Sequence, residues 1–234
     1  MLLTIESLHE IGSNIKSPIL EFQYQTPVWV DIVATFLFAI SGSMKAIEKG
    51  YDYIGLFSLA LVSSVGGGLV RDVLLDAGPP VALKNYNFLL AVIAGSIVAI
   101  FFKNHVYRIS VLITVVDAIS LGIYAVIGAQ KTIDIGLNVI AAMIIGFINA
   151  SFGGVIRDVL TNEEPQLFKP GQFYAAAAII GLLIYMTMVV GFEFNSYYAA
   201  ISCIIIITTL RLLSLKYNWK TSAFQKTNIK RKHK

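Results

Sequence analysis

Seven long apolar stretches, separated by short polar segments, dominate the hydropathy pattern of the chain. Stretches such as NFLLAVIAGSIVAIFF and AAAAIIGLLIYMTMVVGF are apolar all round. Uniformly apolar runs of this length predict membrane-spanning helices, because the strands of a membrane barrel would alternate apolar and polar positions. The predicted spans are residues 28–44, 54–75, 87–102, 109–129, 135–160, 173–192 and 197–215.

Composition supports an integral membrane protein. Hydrophobic residues make up 56% of the 234 positions and charged residues 14%, whereas about a quarter of a soluble domain is charged. Cys203 is the single cysteine, so no intrachain disulfide can form. The histidines His9, His105 and His233 lack the spacing of a metal site. We therefore expect no metal and no cofactor.

The distribution of basic residues predicts the orientation. With the C-terminus in the cytoplasm, twelve Lys and Arg residues fall on the inner side and three, Lys16, Lys84 and Lys131, on the outer side. Seven spans then place the N-terminus outside. The basic tail, residues 216–234, is expected to meet anionic lipid headgroups rather than nucleic acid, because the topology rule already accounts for its charge.

An internal repeat relates the two halves of the apolar region. Residues 31–99 align with residues 117–185 without a gap, and 17 of these 69 positions are identical. Each copy holds three predicted spans, so the second copy enters the membrane from the opposite side. The sequence thus predicts two inverted three-helix repeats, a plan that recurs among transport proteins, followed by a seventh helix outside the duplication.

Glycines interrupt the second helix of each repeat. Gly66, Gly67 and Gly68 correspond to Phe152, Gly153 and Gly154, and both sets lie within the hydrocarbon depth. Glycine permits an unwound turn or a close backbone approach. We therefore predict a helix break in each repeat, with freed carbonyls facing a polar path.

An Arg-Asp pair follows each glycine motif, as Arg71-Asp72 and Arg157-Asp158. Charged residues within spans usually face a bundle interior or an aqueous cavity. Adjacent helix residues point about 100° apart, so the two members of a pair are not expected to neutralise each other, and each is expected to need a further partner. Pore lining or gating is the favoured function, and structural pairing or snorkelling to the interface is the alternative.

Four further charged positions repeat at the ends of the first helices. Asp31 and Asp117 open these helices, where a carboxylate complements the helix dipole. Capping is the favoured interpretation, with ion attraction at a pore mouth as the alternative. Lys45 and Lys131 follow at the other ends and are weaker candidates for a polar vestibule.

The chain resembles the bacterial and archaeal branch of the trimeric intracellular cation (TRIC) channel family. The resemblance rests on DIVATFLFAISGSMKA and SSVGGGLVRDVLLDAGPP, and on their counterparts DAISLGIYAVIGAQKT and FGGVIRDVLTNEEP. It implies a homotrimer in a prokaryotic plasma membrane, with a pore in each subunit that passes potassium and, as a further candidate, sodium. It also implies that the broken helices line the pore, with Ser63, Ser64 and Ser151 as polar lining.

The predicted organisation is an outer N-terminal segment (1–27), a first repeat (28–108), an inverted second repeat (109–195), a seventh helix (196–215) and a cytoplasmic tail (216–234). No catalytic residues are predicted, because the chain shows no nucleophile with a histidine partner and GGGLVRD lacks the ending of a phosphate-binding loop. The alternative function is a secondary transporter of a small amino acid such as glycine, because transporters share inverted repeats and broken helices.

Overall fold

The computed structural model describes residues 27–103, 106–169, 173–217 and 219. All regular secondary structure in these residues is helical, which confirms the all-α class. The predicted N-terminal segment apart from residue 27, nearly all of the basic tail and the three histidines lie outside the described residues.

Seven helices carry the fold. They are α1 (Val28–Glu48), α2 (Tyr53–Leu74), α3 (Asn87–Phe102), α4 (Val106–Asp134), α5 (Val139–Leu160), α6 (Tyr174–Met186) and α7 (Ser196–Lys216). A helical turn, Val81–Lys84, precedes α3, and α6 continues as a π-helical turn, Thr187–Gly191.

Six helices of the described chain are long and apolar enough to cross a membrane. The apolar helix α3 has 16 residues and reaches about 24 Å at 1.5 Å per residue. A hydrocarbon core is about 30 Å thick. The seven predicted spans therefore correspond to six full-length candidates and one shorter helix.

Matching caps begin α2 and α5. The Asp52 side chain accepts a hydrogen bond from the Gly55 N–H (2.7 Å), and the Asn138 side chain accepts one from the Ala141 N–H (2.8 Å). Such caps satisfy amide groups that have no partner within the helix. The predicted start of the fifth span at residue 135 is wrong by four residues, because a turn with Gly136 at φ +83° precedes the cap.

Helix α4 occupies the centre of the bundle. It packs against α1, α5, α6 and α7, while α1 also packs against α2 and α3. The largest apolar cluster gathers around it and includes Leu121, Leu182 and Cys203, each almost fully buried. Because α4 has neighbours on most sides, residues on several of its faces are buried, including the polar side chains of Asp117 and Gln130.

Helices α1 and α4 run antiparallel. The Oγ1 atom of Thr35, in the first half of α1, lies 2.9 Å from the Oη atom of Tyr124, in the second half of α4. Arg157 bonds Ser41, further along α1, and Asp117, earlier in α4. The start of one helix therefore lies beside the end of the other.

Candidate functional site

The glycine-rich segments of α2 and α5 form the crossing between these two helices. Both helices continue through their glycines without interruption, so the predicted breaks are corrected to a close helix contact. A Cβ at Gly67 would collide with the carbonyl oxygen of Asn149, and a Cβ at Gly153 would collide with that of Ser63. The glycines are needed because only backbone without a side chain fits there.

This crossing follows the sequence repeat. Gly67 corresponds to Gly153 and Ser63 to Asn149, each 86 residues further along. Exchanging the two copies therefore converts the Gly67–Asn149 contact into the Gly153–Ser63 contact. The two helices meet in one antiparallel arrangement centred between these residues.

The first charge cluster consists of Asp31, Arg71, Asp72 and Lys131. Arg71 Nε donates to Asp72 Oδ1 at 2.8 Å, and both terminal nitrogens of Arg71 lie 3.4 Å from Asp31 Oδ2. Lys131 Nζ donates to the same Asp72 oxygen at 2.6 Å. The cluster thus balances two carboxylates with two basic groups at the end of the bundle where α2 ends.

The expectation that adjacent residues could not pair is wrong for both Arg-Asp motifs. Arg71 bonds Asp72, and Arg157 Nε bonds Asp158 Oδ1 at 2.9 Å. A long, flexible arginine side chain reaches around the helix to the neighbouring carboxylate. A further partner for each arginine, which the sequence predicted without identifying it, is also present: Asp31 for Arg71 and Asp117 for Arg157. Asp117 lies well inside α4, so the interpretation that it opens and caps this helix is wrong.

Hydroxyl groups and a small cavity adjoin the first charge cluster. Tyr124 Oη donates to the Ser64 carbonyl at 2.8 Å, and Thr35 Oγ1 donates to the Asp31 carbonyl at 2.8 Å. A cavity of about 10 Å³ lies between these groups, close to the size needed for one water molecule. Its lining comprises Asp31, Thr35, Val65, Gly68, Arg71, Asp72, Ala82, Phe88 and Tyr124.

The second charge cluster consists of Asp117, Arg157, Asp158 and Arg211, and lies on the other side of the α2–α5 crossing from the first. Arg157 NH1 donates to Asp117 Oδ1 at 2.8 Å and to Ser41 Oγ at 2.6 Å. The side chains of Arg157, Asp117 and Asp158 are at most 4% exposed. Burial on this scale requires pairing, and the geometry provides it.

Arg211 brings α7 into the second charge cluster. Its guanidinium lies 4.8 Å from the centre of the Tyr174 ring and donates to Gln166 Oε1. The Gln166 N–H in turn donates to Asp158 Oδ2 at 3.0 Å. Sequence reasoning left Arg211 unassigned because α7 lies outside the repeat, although a basic residue within a span was the available signal.

Each Arg-Asp motif also holds the segment that follows its helix. Asp72 Oδ2 accepts the Val81 N–H at 2.9 Å, and Asp158 Oδ2 accepts the Gln166 N–H at 3.0 Å. One carboxylate thus links an arginine to a backbone amide eight or nine residues further on. Each motif therefore holds the loop after its helix in place, in addition to pairing the arginine with a carboxylate.

The two repeated lysines have different partners. Lys131 joins the first charge cluster, whereas Lys45 does not join the second. Instead, Lys45 Nζ lies 2.8 Å from Glu163 Oε1, and Lys49 Nζ lies at the same distance from this oxygen. Burial of Glu163 by itself would raise its pKa, but hydrogen bonds from Lys45 and Lys49 outweigh that effect and lower the pKa to about 2. These three residues form a clasp between the end of α1 and the loop after α5.

The serines expected to line a pore bond to their own helices. Ser63 donates to the Leu59 carbonyl (2.5 Å), Ser64 to the Ala60 carbonyl (2.7 Å) and Ser151 to the Phe147 carbonyl (2.7 Å). Such bonds occupy the hydroxyl protons and leave the oxygens as acceptors.

Several polar residues near these serines were missed from the sequence. Asn149 donates to the Tyr124 carbonyl at 2.7 Å, and Thr35, Ser41 and Tyr174 contact the two clusters. The sequence signal for these residues was an uncharged polar side chain within a span. This signal is weak, because such side chains occur in spans without a functional role. Within the described residues, no three His, Cys, Asp or Glu side chains form a possible metal site.

Helices that could cross a membrane, together with charge-balanced clusters in the protein interior, define a polytopic α-helical membrane protein. A family model described as "Glycine transporter" matches residues 28–104 and again residues 114–190. The two matches are 86 residues apart, the same offset as the repeat. The chain therefore belongs to this family.

Relatives and solved structures agree with this assignment. The UPF0126 inner membrane protein YadS of Escherichia coli K12 is 32% identical over 84% of this chain and 95% of its own length. A prokaryotic TRIC channel in 0.5 M KCl is similar with a TM-score of 0.76 and 34% identity, over 82% of this chain and 96% of that one.

A third similar protein is the TRIC trimeric intracellular cation channel orthologue from Rhodobacter sphaeroides. It has a TM-score of 0.75 and 26% identity, over 81% of this chain and 97% of that one. The resemblance to TRIC channels is thereby confirmed, and the fold is TRIC-like.

Proposed function

We propose that this protein is a monovalent cation channel that prefers potassium, with a pore in each subunit of a homotrimer. The observation that carries the proposal is the placement of two charge-balanced clusters at different levels of the antiparallel α1–α4 pair, with the α2–α5 crossing between them. Charged groups inside a membrane bundle usually accompany an ion or substrate path. Similarity to solved TRIC cation channels supports the same class.

A line of polar groups supports a route between the two clusters. Thr35 and the Tyr124 hydroxyl lie beside the first cluster, Asn149 donates to the Tyr124 backbone carbonyl, and Ser41 lies beside Arg157 in the second cluster. Oxygens along this line can replace part of the hydration shell of a cation.

The α2–α5 crossing is the narrowest point of the proposed route. At Gly67 and Gly153 the backbones leave no space for a Cβ, and therefore none for an ion. Conduction then requires α2 and α5 to separate, and the crossing is the proposed gate. The antiparallel contacts of both helix pairs also support the proposed inverted relation of the two repeats.

The channel proposal is tested with purified protein in planar lipid bilayers. Under a KCl gradient we expect single-channel currents that reverse near the potassium equilibrium potential. Under bi-ionic KCl and NaCl, a shifted reversal potential should show the potassium preference. Denatured protein at the same dose serves as the control. Currents that reverse near the chloride potential, or an intact protein without unitary currents, would contradict the proposal.

Glycine transport is the second candidate, favoured by the description of the matching family model. An arginine beside a carboxylate could pair with both charges of an amino acid. The cavity of about 10 Å³ at the first charge cluster is too small for glycine without rearrangement, since this volume holds about one water molecule. Saturable uptake of labelled glycine into proteoliposomes, without unitary currents, would favour the transporter.

The remaining proposals concern assembly and surroundings. We propose a homotrimer in a bacterial plasma membrane, in line with the names of similar proteins, and contact of the basic tail with anionic headgroups. Native mass spectrometry measures the subunit number. Vesicle binding of the protein with and without residues 220–234, at varied anionic lipid content, measures the contribution of the tail.

A further inference from the structure

The two Arg-Asp motifs are identical in sequence but differ in how tightly each arginine holds its second carboxylate. Arg157 lies 2.8 Å from Asp117 and donates a further bond to Ser41 at 2.6 Å. Both terminal nitrogens of Arg71 lie 3.4 Å from Asp31 Oδ2. The Arg157 pair is therefore a short charge-assisted contact, whereas the Arg71 pair is at the limit of hydrogen bonding.

Exposure differs in the same direction. The side chain of Asp117 is 1% exposed and that of Asp31 is 14% exposed. The cavity of about 10 Å³ also adjoins Asp31 and Arg71. The loosely held carboxylate is thus the one that has space beside it and is partly exposed.

The geometry points to a binding site for one dehydrated monovalent cation in this cavity, with the Arg71 guanidinium as a tethered competitor for Asp31. The inference rests on the proposed channel function and adds a specific ligand site to it. Potassium is about the size of a water molecule, which is what the cavity can hold.

The lining of the cavity offers suitable ligands. Asp31 supplies a carboxylate, while the hydroxyl oxygens of Thr35 and Tyr124 retain lone pairs after donating to backbone carbonyls. A carboxylate with neutral oxygens matches a hard monovalent cation. Asp72 is less available, because Arg71, Lys131 and the Val81 amide already bind it.

Entry of a cation adds one positive charge to a balanced cluster, so another charge has to move. The ammonium group of Lys131 can leave the cluster, because the Lys131 side chain is 25% exposed, whereas that of Arg71 is only 2% exposed. A flexible lysine can turn its ammonium to water while its stem stays packed. Arg71 keeps Asp72 and releases Asp31.

Gly68 provides a variant that fills the cavity without disturbing the fold. A Cβ at Gly68 would meet Arg71 NH2 at 3.7 Å, an ordinary contact. The matched control is Gly154→Ala at the equivalent position of the second repeat, where the nearest atom is the Tyr174 hydroxyl at 3.3 Å.

The experiment measures the thermal stability of the full-length protein in nanodiscs while KCl replaces N-methyl-D-glucamine chloride at constant ionic strength. A site that binds only the folded state raises the Tm with ligand concentration. We expect Gly68→Ala and Asp31→Asn to raise the half-maximal potassium concentration at least tenfold, and Gly154→Ala to change it less than twofold. Arg71→Gln removes the competitor and should lower it several-fold.

Unchanged potassium dependence in Gly68→Ala, or no potassium dependence in the wild type, would overturn the site. A weaker potassium response in Arg71→Gln would overturn the competitor role. Bilayer recordings separate this inference from the proposed function. Currents without Asp31-dependent binding reject the site alone, and Asp31-dependent binding without currents rejects the channel alone.

Discussion

Gly67 of α2 faces the carbonyl oxygen of Asn149 in α5 at a separation that excludes any side chain. The equivalent pair, Gly153 and Ser63, repeats this contact from the other helix. Together they fix the depth at which α2 and α5 cross. Close backbone approach allows packing and Cα–H···O contacts that larger residues would prevent.

Gly67→Ala and Gly153→Ala should each destabilise the protein, because the added Cβ forces the helices apart. Overpacking of this kind costs about 1–3 kcal/mol, more than the gain of up to about 1 kcal/mol from replacing glycine in a helix. Thermal unfolding of the purified protein in potassium-free buffer measures the effect.

Gly68→Ala is the control for the crossing, since its Cβ would meet only Arg71 NH2, at the ordinary contact distance of 3.7 Å. We expect its Tm to equal or exceed that of the wild type. A similar loss of stability in all three variants would show that the effect is not specific to the crossing.

The orientation can be tested at two exposed lysines on opposite sides of the bundle. Lys84 follows α2 and Lys103 follows α3, so one crossing separates them. In a Cys203→Ser background, we expect Lys84→Cys to react with an impermeant maleimide from outside the cell. Lys103→Cys should react only after the membrane is opened. Reaction of both from the same face would mean that α3 does not cross.

The sequence predicted the helices, and the need of each intramembrane arginine for a further partner, for physical reasons. Apolar length identifies spans independently of their neighbours. A charge inside a span has to be paired, so a further partner for Arg71 and for Arg157 could be expected, but the sequence did not identify these partners as Asp31 and Asp117. Both predictions follow from the free-energy cost of placing polar backbone or an unpaired charge in the hydrocarbon core, which applies to any membrane bundle.

Details set by tertiary contacts were less predictable. A glycine run allows either a break or a close approach, and only the position of α5 decides between them at Gly67. The repeated lysines, Lys45 and Lys131, have equivalent positions but different partners, because Glu163 has no acidic counterpart in the first repeat. Arg211 enters its cluster from α7, where the repeat provides no guide.

The clasp at Glu163 predicts a dependence of stability on pH. The pKa of Glu163 is lowered to about 2 from an ordinary value of 4.5, so the ionised form is favoured by folding. Its contribution is fully present above pH 4.5 and is lost as the pH falls toward 2. We expect the Tm of the wild type to fall in this window and that of Glu163→Gln to fall less.

Glu164→Gln is the matched control for the clasp. Glu164 is exposed and forms no ion pair with a described residue. Its acid profile should therefore follow the wild type. The effect of Glu163→Gln should be modest, because an ion pair near water is screened. Parallel acid profiles for Glu163→Gln and the wild type would contradict the clasp.

Arg157→Gln should cost much more stability than Arg71→Gln. Removing Arg157 leaves Asp117 and Asp158 buried without their guanidinium partner, and breaking a buried pair in this way costs about 3–5 kcal/mol. After removal of Arg71, Asp72 retains its Lys131 pair and the partly exposed Asp31 can meet water. Thermal unfolding and the yield of assembled protein measure the difference.

The double variant Arg157→Gln, Asp117→Asn separates lost charge pairing from lost packing. It removes one uncompensated carboxylate and should therefore recover part of the stability. Equal losses in the two single variants would contradict the distinct roles of the arginines, and no recovery in the double variant would attribute the loss to packing.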